Sequence, residues 1–223
     1  MRLTREDHDR VTAAVTAAEA GTDGEIVTIV ARSSDAYHDV ALHWSVLAML
    51  LVLALLAVFP HATDAIHARL AGPWADAVPA SFHYSVALFA LTLTFLACRV
   101  ILAWRPLRLA LTPDATKARR VRRRALMLFR AGAEKRTIAA TGVLLYLSLE
   151  EHHAEIVADA AIHSRVDEGV WGHAMAALVA ALRDGRPGDG MAAAVAEIGV
   201  VLAEHFPRSA GDTNELPDRL IEL

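Results

Sequence analysis

The sequence predicts an α/β protein whose small mixed sheet is covered by helices and interrupted by a two-helix transmembrane hairpin. Three observations predict this class. A β-branched strand lies near the start of the chain, two long apolar runs follow it, and two further strand patterns come only after the second run. Because a single strand is not stable alone, the first strand needs partners from beyond the apolar runs.

An amphipathic helix and a strand make up the N-terminal segment. Thr4 is suited to cap a helix over 4–20, because Asp7 lies three residues later and Gly21 follows the last turn. The next segment, GEIVTIVARS at 24–33, is rich in β-branched residues and bounded by turn residues. This pattern predicts a buried strand.

Two apolar runs separate this strand from the rest of the chain. Residues 40–59 contain no charged side chain, and residues 82–104 contain only Arg99. Twenty helical residues cover about 30 Å, the thickness of the hydrocarbon core of a bilayer. Two buried helices of a soluble bundle are the alternative, but soluble helices of this length normally carry a polar stripe. We therefore predict two membrane spans that form a hairpin.

The flanking charges predict the orientation of this hairpin. The loop at 60–79 carries one Arg and two Asp, whereas the segment 105–130 carries nine Arg and Lys. Because positive charge stays on the cytoplasmic side, we expect a multi-pass protein of the bacterial inner membrane with both termini in the cytoplasm. The charged N-terminus has no apolar core of a cleavable signal peptide. The single cysteine, Cys98, excludes an intrachain disulfide.

The remaining elements follow the second run. A basic amphipathic helix is predicted over 115–132, and strands over 142–149 and 153–159 are joined by a short polar turn. Two helices are predicted after these strands, over 167–185 and 188–207. The chain is thus divided into four parts: a first helix and strand (1–39), the hairpin (40–104), the remainder of the α/β domain (105–207) and a polar tail (208–223).

Both C-terminal helices have an apolar face that we expect to be buried. In the first helix these residues are Trp171, Met175, Leu178, Val179 and Leu182. In the second helix they are Met191, Val195, Ile198 and Leu202. A three- to four-residue spacing of apolar side chains is typical of a helix that packs on a core.

Four potential metal ligands stand side by side between the two later strands: Glu150, Glu151, His152 and His153. Neighbouring side chains on a strand point to opposite faces, so these four do not converge on one ion. We interpret them as a solvated hairpin turn.

The order of these motifs resembles a known family. The segment FRAGAEKRTIAATGVLLYLSLEEHHAEIVADAAIH at 129–163, followed by Trp171 and by a helix ending in LAEHFP at 202–207, is similar to the C-terminal two-thirds of a TPM domain. GEIVTIV at 24–30 resembles the first strand of that family. The resemblance covers nearly all of the chain outside the apolar runs.

This resemblance implies a βαββ-type core with helices on both sides. Members of the family include a plant thylakoid-lumen acid phosphatase and bacterial membrane-anchored proteins. Some members bind calcium or another divalent ion at an acidic cluster near the edge of the sheet. The resemblance therefore implies either a membrane-anchored binding domain or a metal-dependent phosphatase.

Carboxylates at strand and helix ends are the candidates for a metal site. Glu25, Asp159 and Asp167 come from different segments, as the oxygen ligands of Ca²⁺ or Mg²⁺ do. The simpler interpretation makes Glu25 a turn residue, Asp159 a strand terminator and Asp167 a helix N-cap. No phosphate-binding loop, nucleophile elbow, HExxH or CxxC motif occurs in the sequence, so no catalytic residue stands out.

The basic helix carries five closely spaced arginines: Arg119, Arg120, Arg122, Arg123 and Arg124. They have no interleaved aromatic residues, so we do not expect a nucleic-acid site. They lie just beyond a predicted span, where anionic lipid attracts each basic residue by about 1 kcal/mol. We predict that they form a basic patch that faces the membrane lipid.

These observations together predict an integral membrane protein that presents a TPM-like domain to the cytoplasm. We expect this domain to act without catalysis, by binding another membrane protein or complex during assembly or maintenance. The alternative is a divalent-metal-dependent phosphatase at the membrane surface, with Ca²⁺ or Mg²⁺ as its cofactor.

Overall fold

The computed structural model describes residues 3–72, 77–132, 141–209 and 218–223. The chain divides into two compact units. We call the first, Met1–Asp35 together with Asp114–Leu223, the sheet unit, and the second, Ala36–Pro113, the hairpin unit. The hairpin unit is therefore an insertion within the sequence of the sheet unit.

The predicted helices and strands are present in the predicted order, together with four further helices and one further strand. In chain order they are α1 (Arg5–Glu19), β1 (Glu25–Ala31), α2 (His38–Val58), α3 (His61–Ala71), α4 (Ala80–Ile101), α5 (Arg105–Ala110), α6 (Asp114–Gly132), β2 (Gly142–Ser148), β3 (His153–Ala158), α7 (Ala160–His163), a 3-10 helix (Glu168–Trp171), α8 (Gly172–Arg183), α9 (Pro187–His205) and β4 (Ile221–Glu222).

Helix α1 begins with the predicted cap. The Thr4 hydroxyl accepts a hydrogen bond from the Asp7 backbone N–H at 3.2 Å, and the Asp7 carboxylate accepts one from the Thr4 N–H at 2.8 Å. These reciprocal bonds satisfy two backbone donors that a helix start otherwise leaves open. Val11 and Val15 are fully buried, so the predicted apolar face is confirmed.

The described strands form one mixed sheet in the order β3-β2-β1-β4. Strand β1 pairs with β2 in parallel, from Glu25 opposite Gly142 to Ala31 opposite Ser148. Strands β2 and β3 are antiparallel, as a hairpin requires. The first strand is therefore completed by a strand that follows the inserted hairpin unit, which confirms the predicted fold class.

Helices cover both faces of this sheet. One face, which we call the α9 face, packs Ile26, Val30 and Leu145 into a core with α1, α8 and α9. The other face, the α6 face, packs against α6 through its buried side chains Val121, Ala125 and Phe129. Alternate residues of β1 and β2 thus serve two separate cores, which explains why both strands are buried along their whole length and mostly apolar.

Helices α1 and α9 approach each other closely at Gly199. A Cβ atom at this position would lie 2.6 Å from the Cβ of Ala18. Contacts between real Cβ atoms do not become this short, so the packing of the two helices depends on glycine here. The glycine has a structural role that the periodicity of apolar residues does not reveal.

The burial predicted for the C-terminal helices is confirmed for α9 and corrected for α8. The four apolar residues named for α9 are all fully buried. Of the residues named for the first helix, Trp171 and Leu178 are buried and Leu182 packs against the same core, but Val179 is 39% exposed, and Ala174 and Ala181 face the core instead.

The hairpin unit contains the two predicted apolar helices. Helix α2 packs against α4. Within the part of the chain that the structure describes, these two helices are long and apolar enough to cross a membrane. Helix α3 occupies much of the predicted connecting loop, whose residues 73–76 lie outside the described residues.

The predicted polar tail contains a strand. Residues Ile221–Glu222 pair in parallel with Ile29 and Val30 of β1. Leu220, just before this strand, is 6% exposed and belongs to the core on the α9 face. Residues 210–217 of the tail lie outside the described residues.

Candidate functional site

Polar side chains are concentrated at the end of the sheet unit where the inserted hairpin unit begins. Because Ala31 lies opposite Ser148, the residues that follow β1 and β2 come together at the same end of the sheet. We call Ser33, Ser34, Tyr146, Ser148 and Glu151 the junction cluster, since Ser33 and Ser34 precede the insertion in the sequence and hydrogen bonds link all five residues.

The carboxylate of Glu151 is the centre of the junction cluster. This residue is only 3% exposed. Its carboxylate accepts hydrogen bonds from the Ser34 backbone N–H at 2.8 Å, from the Ser33 hydroxyl at 3.3 Å and from the Ser148 hydroxyl. A buried carboxylate needs such donors, because an uncompensated charge in the protein interior is costly.

The prediction of a solvated turn is therefore wrong for Glu151. His152 has a left-handed φ of 54°, which closes the turn tightly between β2 and β3. Glu150 lies near the surface and forms an ion pair with Arg32 at 2.7 Å. Glu151 instead enters the interior, because serine donors of the segment after β1 lie there.

Tyr146 connects the junction cluster to the core on the α6 face. Its side chain is fully buried, and its hydroxyl lies 3.0 Å from the Ser34 Oγ, so the two share a hydrogen bond. Burial raises the pKa of Tyr146 above its ordinary value, and the charge of Glu151 adds to this, while the Ser34 bond and Arg124 act in the opposite direction. The phenol is therefore neutral at physiological pH.

Both borders of the insertion are held at this end of the sheet unit. Asp35, the last residue before the insertion, accepts a hydrogen bond from Arg120 of α6 at 3.0 Å. Asp114, the first residue after it, lies 3.7 Å from His153 at the start of β3. The two points at which the insertion interrupts the sequence of the sheet unit therefore lie at the same end of the sheet.

The basic patch predicted on α6 divides into inward and outward members. Arg120 has only 15% of its side chain exposed, and Arg124 is half-buried and influences Tyr146. Arg119, Arg122 and Arg123 are exposed, although Arg122 forms an ion pair with Glu155 at 3.5 Å and Arg123 lies 3.8 Å from Asp35. Contact of the exposed arginines with lipid stays a prediction.

Glu155 lies under the exposed part of α6. It stands opposite Tyr146 in the hairpin, with 24% of its side chain exposed. Burial raises the pKa of the Glu155 carboxyl, and this effect outweighs the opposing charges of Arg122 and His153. The ion pair with Arg122 therefore does not fully compensate the desolvation of this carboxylate.

Two of the three predicted metal ligands lie at the opposite end of the sheet, on either side of Gly142. Glu25 begins β1 opposite Gly142, and Asp159 follows the last residue of β3. Both are buried, at 6% and 5% exposure. The Asp159 carboxylate accepts a hydrogen bond from the Gly142 N–H at 3.0 Å, so at least one of its oxygens already has a structural partner.

The third predicted ligand, Asp167, is exposed at the start of the 3-10 helix. Among residues 3–72, 77–132, 141–209 and 218–223, no group of three or more His, Cys, Asp or Glu side chains is placed to hold a metal ion. Metal binding by Glu25, Asp159 and Asp167 therefore stays a prediction.

The junction cluster contains residues that the sequence analysis did not single out, namely Ser33, Ser34, Tyr146 and Ser148. The available signal was the polar SS pair directly after a buried strand, together with a polar turn after its parallel neighbour. Chemically, this arrangement fixes the chain that leads into the insertion. It supplies hydrogen bonds and no exposed nucleophile.

Comparisons with known proteins agree with this architecture. Residues 107–201 match the model of the family described as the TPM domain. No curated protein matches the chain. The NMR structure of the BA42 protein from the psychrophilic bacterium Bizionia argentinensis is similar in fold, with a TM-score of 0.57 and 16% sequence identity over 100% of this chain and 97% of that one. At this identity the likeness concerns the fold alone.

Proposed function

We propose that this chain is an integral membrane protein in which α2 and α4 anchor its TPM-like domain at the cytoplasmic face of the bacterial inner membrane. The domain acts without catalysis and binds another membrane protein or complex during its assembly or maintenance. The proposal rests above all on the insertion of an apolar hairpin between two paired strands of one sheet.

The exposure of the apolar helices supports the membrane part of this proposal. No residue of α4 is buried, and Leu88 and Phe89 are 68% and 70% exposed. A core helix of a soluble protein passes the same test of length and composition, but it is mostly buried. Large apolar surfaces of this kind are rare on soluble monomers and mark contact with lipid or protein.

The distribution of charge supports the proposed orientation. Arginines are concentrated in the sheet unit directly after the insertion. The connection between α2 and α4, in contrast, has Arg69 as its only arginine or lysine. Positive charge near a span favours the cytoplasmic side. Both ends of the sheet unit would then be in the cytoplasm, with α3 on the far side of the bilayer.

A pair of reporter fusions tests this topology. A reporter that is active only outside the cytoplasm should be silent after Leu223 and active when inserted after Gly72, which follows α3. The second fusion controls for expression of the first. Activity after Leu223 would contradict the proposal, as would release of the full chain from membranes by alkaline carbonate.

Partner binding is tested separately, by purifying the tagged full chain from detergent-solubilised membranes and identifying proteins in stoichiometric amounts.

Phosphatase activity is the second candidate, and the burial of two carboxylates beside Gly142 favours testing it. The assay measures hydrolysis of p-nitrophenyl phosphate with Ca²⁺ or Mg²⁺. Glu25→Gln and Asp159→Asn should abolish any such activity, while Asp9→Asn on the exposed side of α1 serves as the matched control. Activity that is equal in all variants would exclude these carboxylates from the reaction.

A further inference from the structure

The outer edge of β1 is covered by the last residues of the chain. Strand β4 pairs with Ile29 and Val30, the Leu223 N–H donates to the Val30 carbonyl at 2.9 Å, and the Arg32 N–H donates to the Leu223 carbonyl at 3.2 Å. The other half of this edge is closed differently, because the Ile26 N–H donates to the Glu19 carboxylate at 2.7 Å.

Side chains of the tail are recognised as well as its backbone. Leu220 is 6% exposed and packs into the core on the α9 face, while Ile221 packs against the core on the α6 face. Two acidic residues flank this apolar pair. The Thr16 hydroxyl donates to Asp218 at 2.7 Å, and His8 lies 3.3 Å from Glu222.

These contacts define a site that binds an extended segment of chain. The backbone edge of β1 provides strand pairing, the two cores accept one apolar side chain on each face, and α1 presents polar groups to acids four positions apart. Backbone pairing at a sheet edge combined with pockets for alternate side chains is how strand-adding domains bind peptides. The sequence that fits is acidic, any residue, Leu, Ile, acidic.

We propose that this edge of β1 is the docking site for an extended segment of a partner protein with this acidic and apolar pattern, and that the chain's own tail occupies it as an internal ligand. This deepens the partner binding proposed above and rests on it. The tail is suited to exchange, since its ladder is only two residues long and its Glu222 contact is half-exposed. An edge covered by so short a strand also remains protected from nonspecific pairing.

The experiment uses the full chain in detergent micelles and hydrogen exchange of the segment 25–33, read by mass spectrometry. Leu220→Asp removes the apolar anchor and should raise exchange in this segment at least tenfold. Val200→Asp, which changes an apolar residue that is 65% exposed on α9, is the matched control and should leave exchange unchanged. The peptide DRLIEL, with the sequence of residues 218–223, should then restore protection to the Leu220→Asp protein.

The control peptide DRDIEL should not restore protection. Wild-type protein should respond weakly to DRLIEL, because a tethered tail competes at an effective concentration of about 1 mM. If Leu220→Asp unfolds the sheet unit, Asp218→Ala combined with Glu222→Lys weakens the tail through surface contacts alone and takes its place.

Three results would overturn the inference: unchanged exchange in a folded tail variant, no protection by DRLIEL, or equal protection by DRDIEL. A stable dimer of the full chain by light scattering, lost in the tail variant, would make a second copy the occupant and contradict a partner protein. The peptide result does not depend on the membrane. Failure of the peptide with a partner still co-purifying would remove this inference and leave the proposed function intact, whereas the reverse outcome would remove the proposed function.

Discussion

The backbone N–H of Ser34 donates a hydrogen bond to the Glu151 carboxylate at 2.8 Å, and the two residues are 117 positions apart. The whole inserted hairpin unit lies between them in the sequence. This one contact joins the segment that enters the insertion to the turn that follows β2. The sheet unit itself thus contains contacts that hold the segment before the insertion to a segment after it.

We expect the sheet unit to fold without the insertion. Residues 1–35 joined to 114–223 through about ten Gly and Ser residues should be soluble and unfold cooperatively, because such a linker spans roughly 16–19 Å and both ends lie at the same end of the sheet. Circular dichroism during heating is the measurement. Val27→Asp, which places a charge at a buried position in the centre of β1, should abolish the transition. An unmoved transition in that variant would contradict the role of β1.

Replacing the central acid of the junction cluster should destabilise this shortened protein. Glu151→Gln removes the charge; its amide oxygen can still accept from the Ser34 N–H, but its NH₂ group then faces the Ser148 hydroxyl, which donates to the carboxylate in the wild type. We expect a loss of about 2–3 kcal/mol in the free energy of unfolding, measured with urea. The control, Glu204→Gln at an exposed position on α9, should change it by less than about 0.5 kcal/mol. Equal effects of the two changes would show that the cluster is not stabilising.

Two buried threonines should respond in opposite directions to the same substitution. The Thr28 hydroxyl is buried on the α9 face without a hydrogen-bond partner among the described residues, so Thr28→Val should raise the free energy of unfolding by about 1 kcal/mol. The Thr22 hydroxyl donates to the Phe206 carbonyl at 2.6 Å and accepts from the Gly24 N–H at 3.0 Å. Thr22→Val should therefore lower the free energy of unfolding. Urea titrations of both variants measure these changes. A change in the free energy of unfolding that has the same sign in both variants would contradict this account.

The outward arginines of α6 should carry any binding to anionic lipid. Changing Arg119, Arg122 and Arg123 to Gln should weaken binding of the shortened protein to vesicles containing phosphatidylserine by roughly 10- to 100-fold, and added salt should have a similar effect. Arg120→Gln breaks the pair with Asp35. It should lower thermal stability and have little effect on vesicle binding. Co-sedimentation that is insensitive both to the triple change and to salt would count against a lipid-facing role.

Glu155 should make the stability of the sheet unit depend on pH. Burial raises the pKa of this carboxyl above its ordinary value of 4.5. The folded form therefore holds the proton more tightly than the unfolded form, so the contribution of this group is fully present below about pH 4.5 and is lost as pH rises through the raised folded pKa. Glu155→Gln should gain stability relative to the wild type between pH 4.5 and 7. A difference in melting temperature that stays constant over this range would contradict the assignment.

The order of elements could be predicted from the sequence because each long element has its own pattern. The β-branched stretch of β1, the uncharged stretch of α2 and the spaced apolar residues of α9 are local signals. The burial of Glu151 could not be predicted in this way. It depends on the register that sets Ala31 opposite Ser148, a long-range property that the composition of the turn does not contain.

Two further differences have similar causes. Strand β4 has only two residues, too few for a recognisable alternation, and it exists because an edge of β1 is available to pair with it. The inward orientation of Arg120 follows from Asp35, which lies 85 positions earlier in the chain. A run of arginines predicts a basic surface, but partners from distant segments decide which members remain on that surface.

The pairing of β1 with β2 also fixes the order of events during biosynthesis. Glu25 leaves the ribosome 117 residues before its partner Gly142, which at about 5–20 residues per second is a delay of roughly 6–23 seconds. During this interval the seven buried residues of β1, five of which are apolar, have no strand to pair with, while α2 and α4 are being synthesised. Synthesis of the hairpin must therefore finish before the sheet can form, and nascent chains that stall between the two steps expose the apolar residues of β1 to chaperones and proteases.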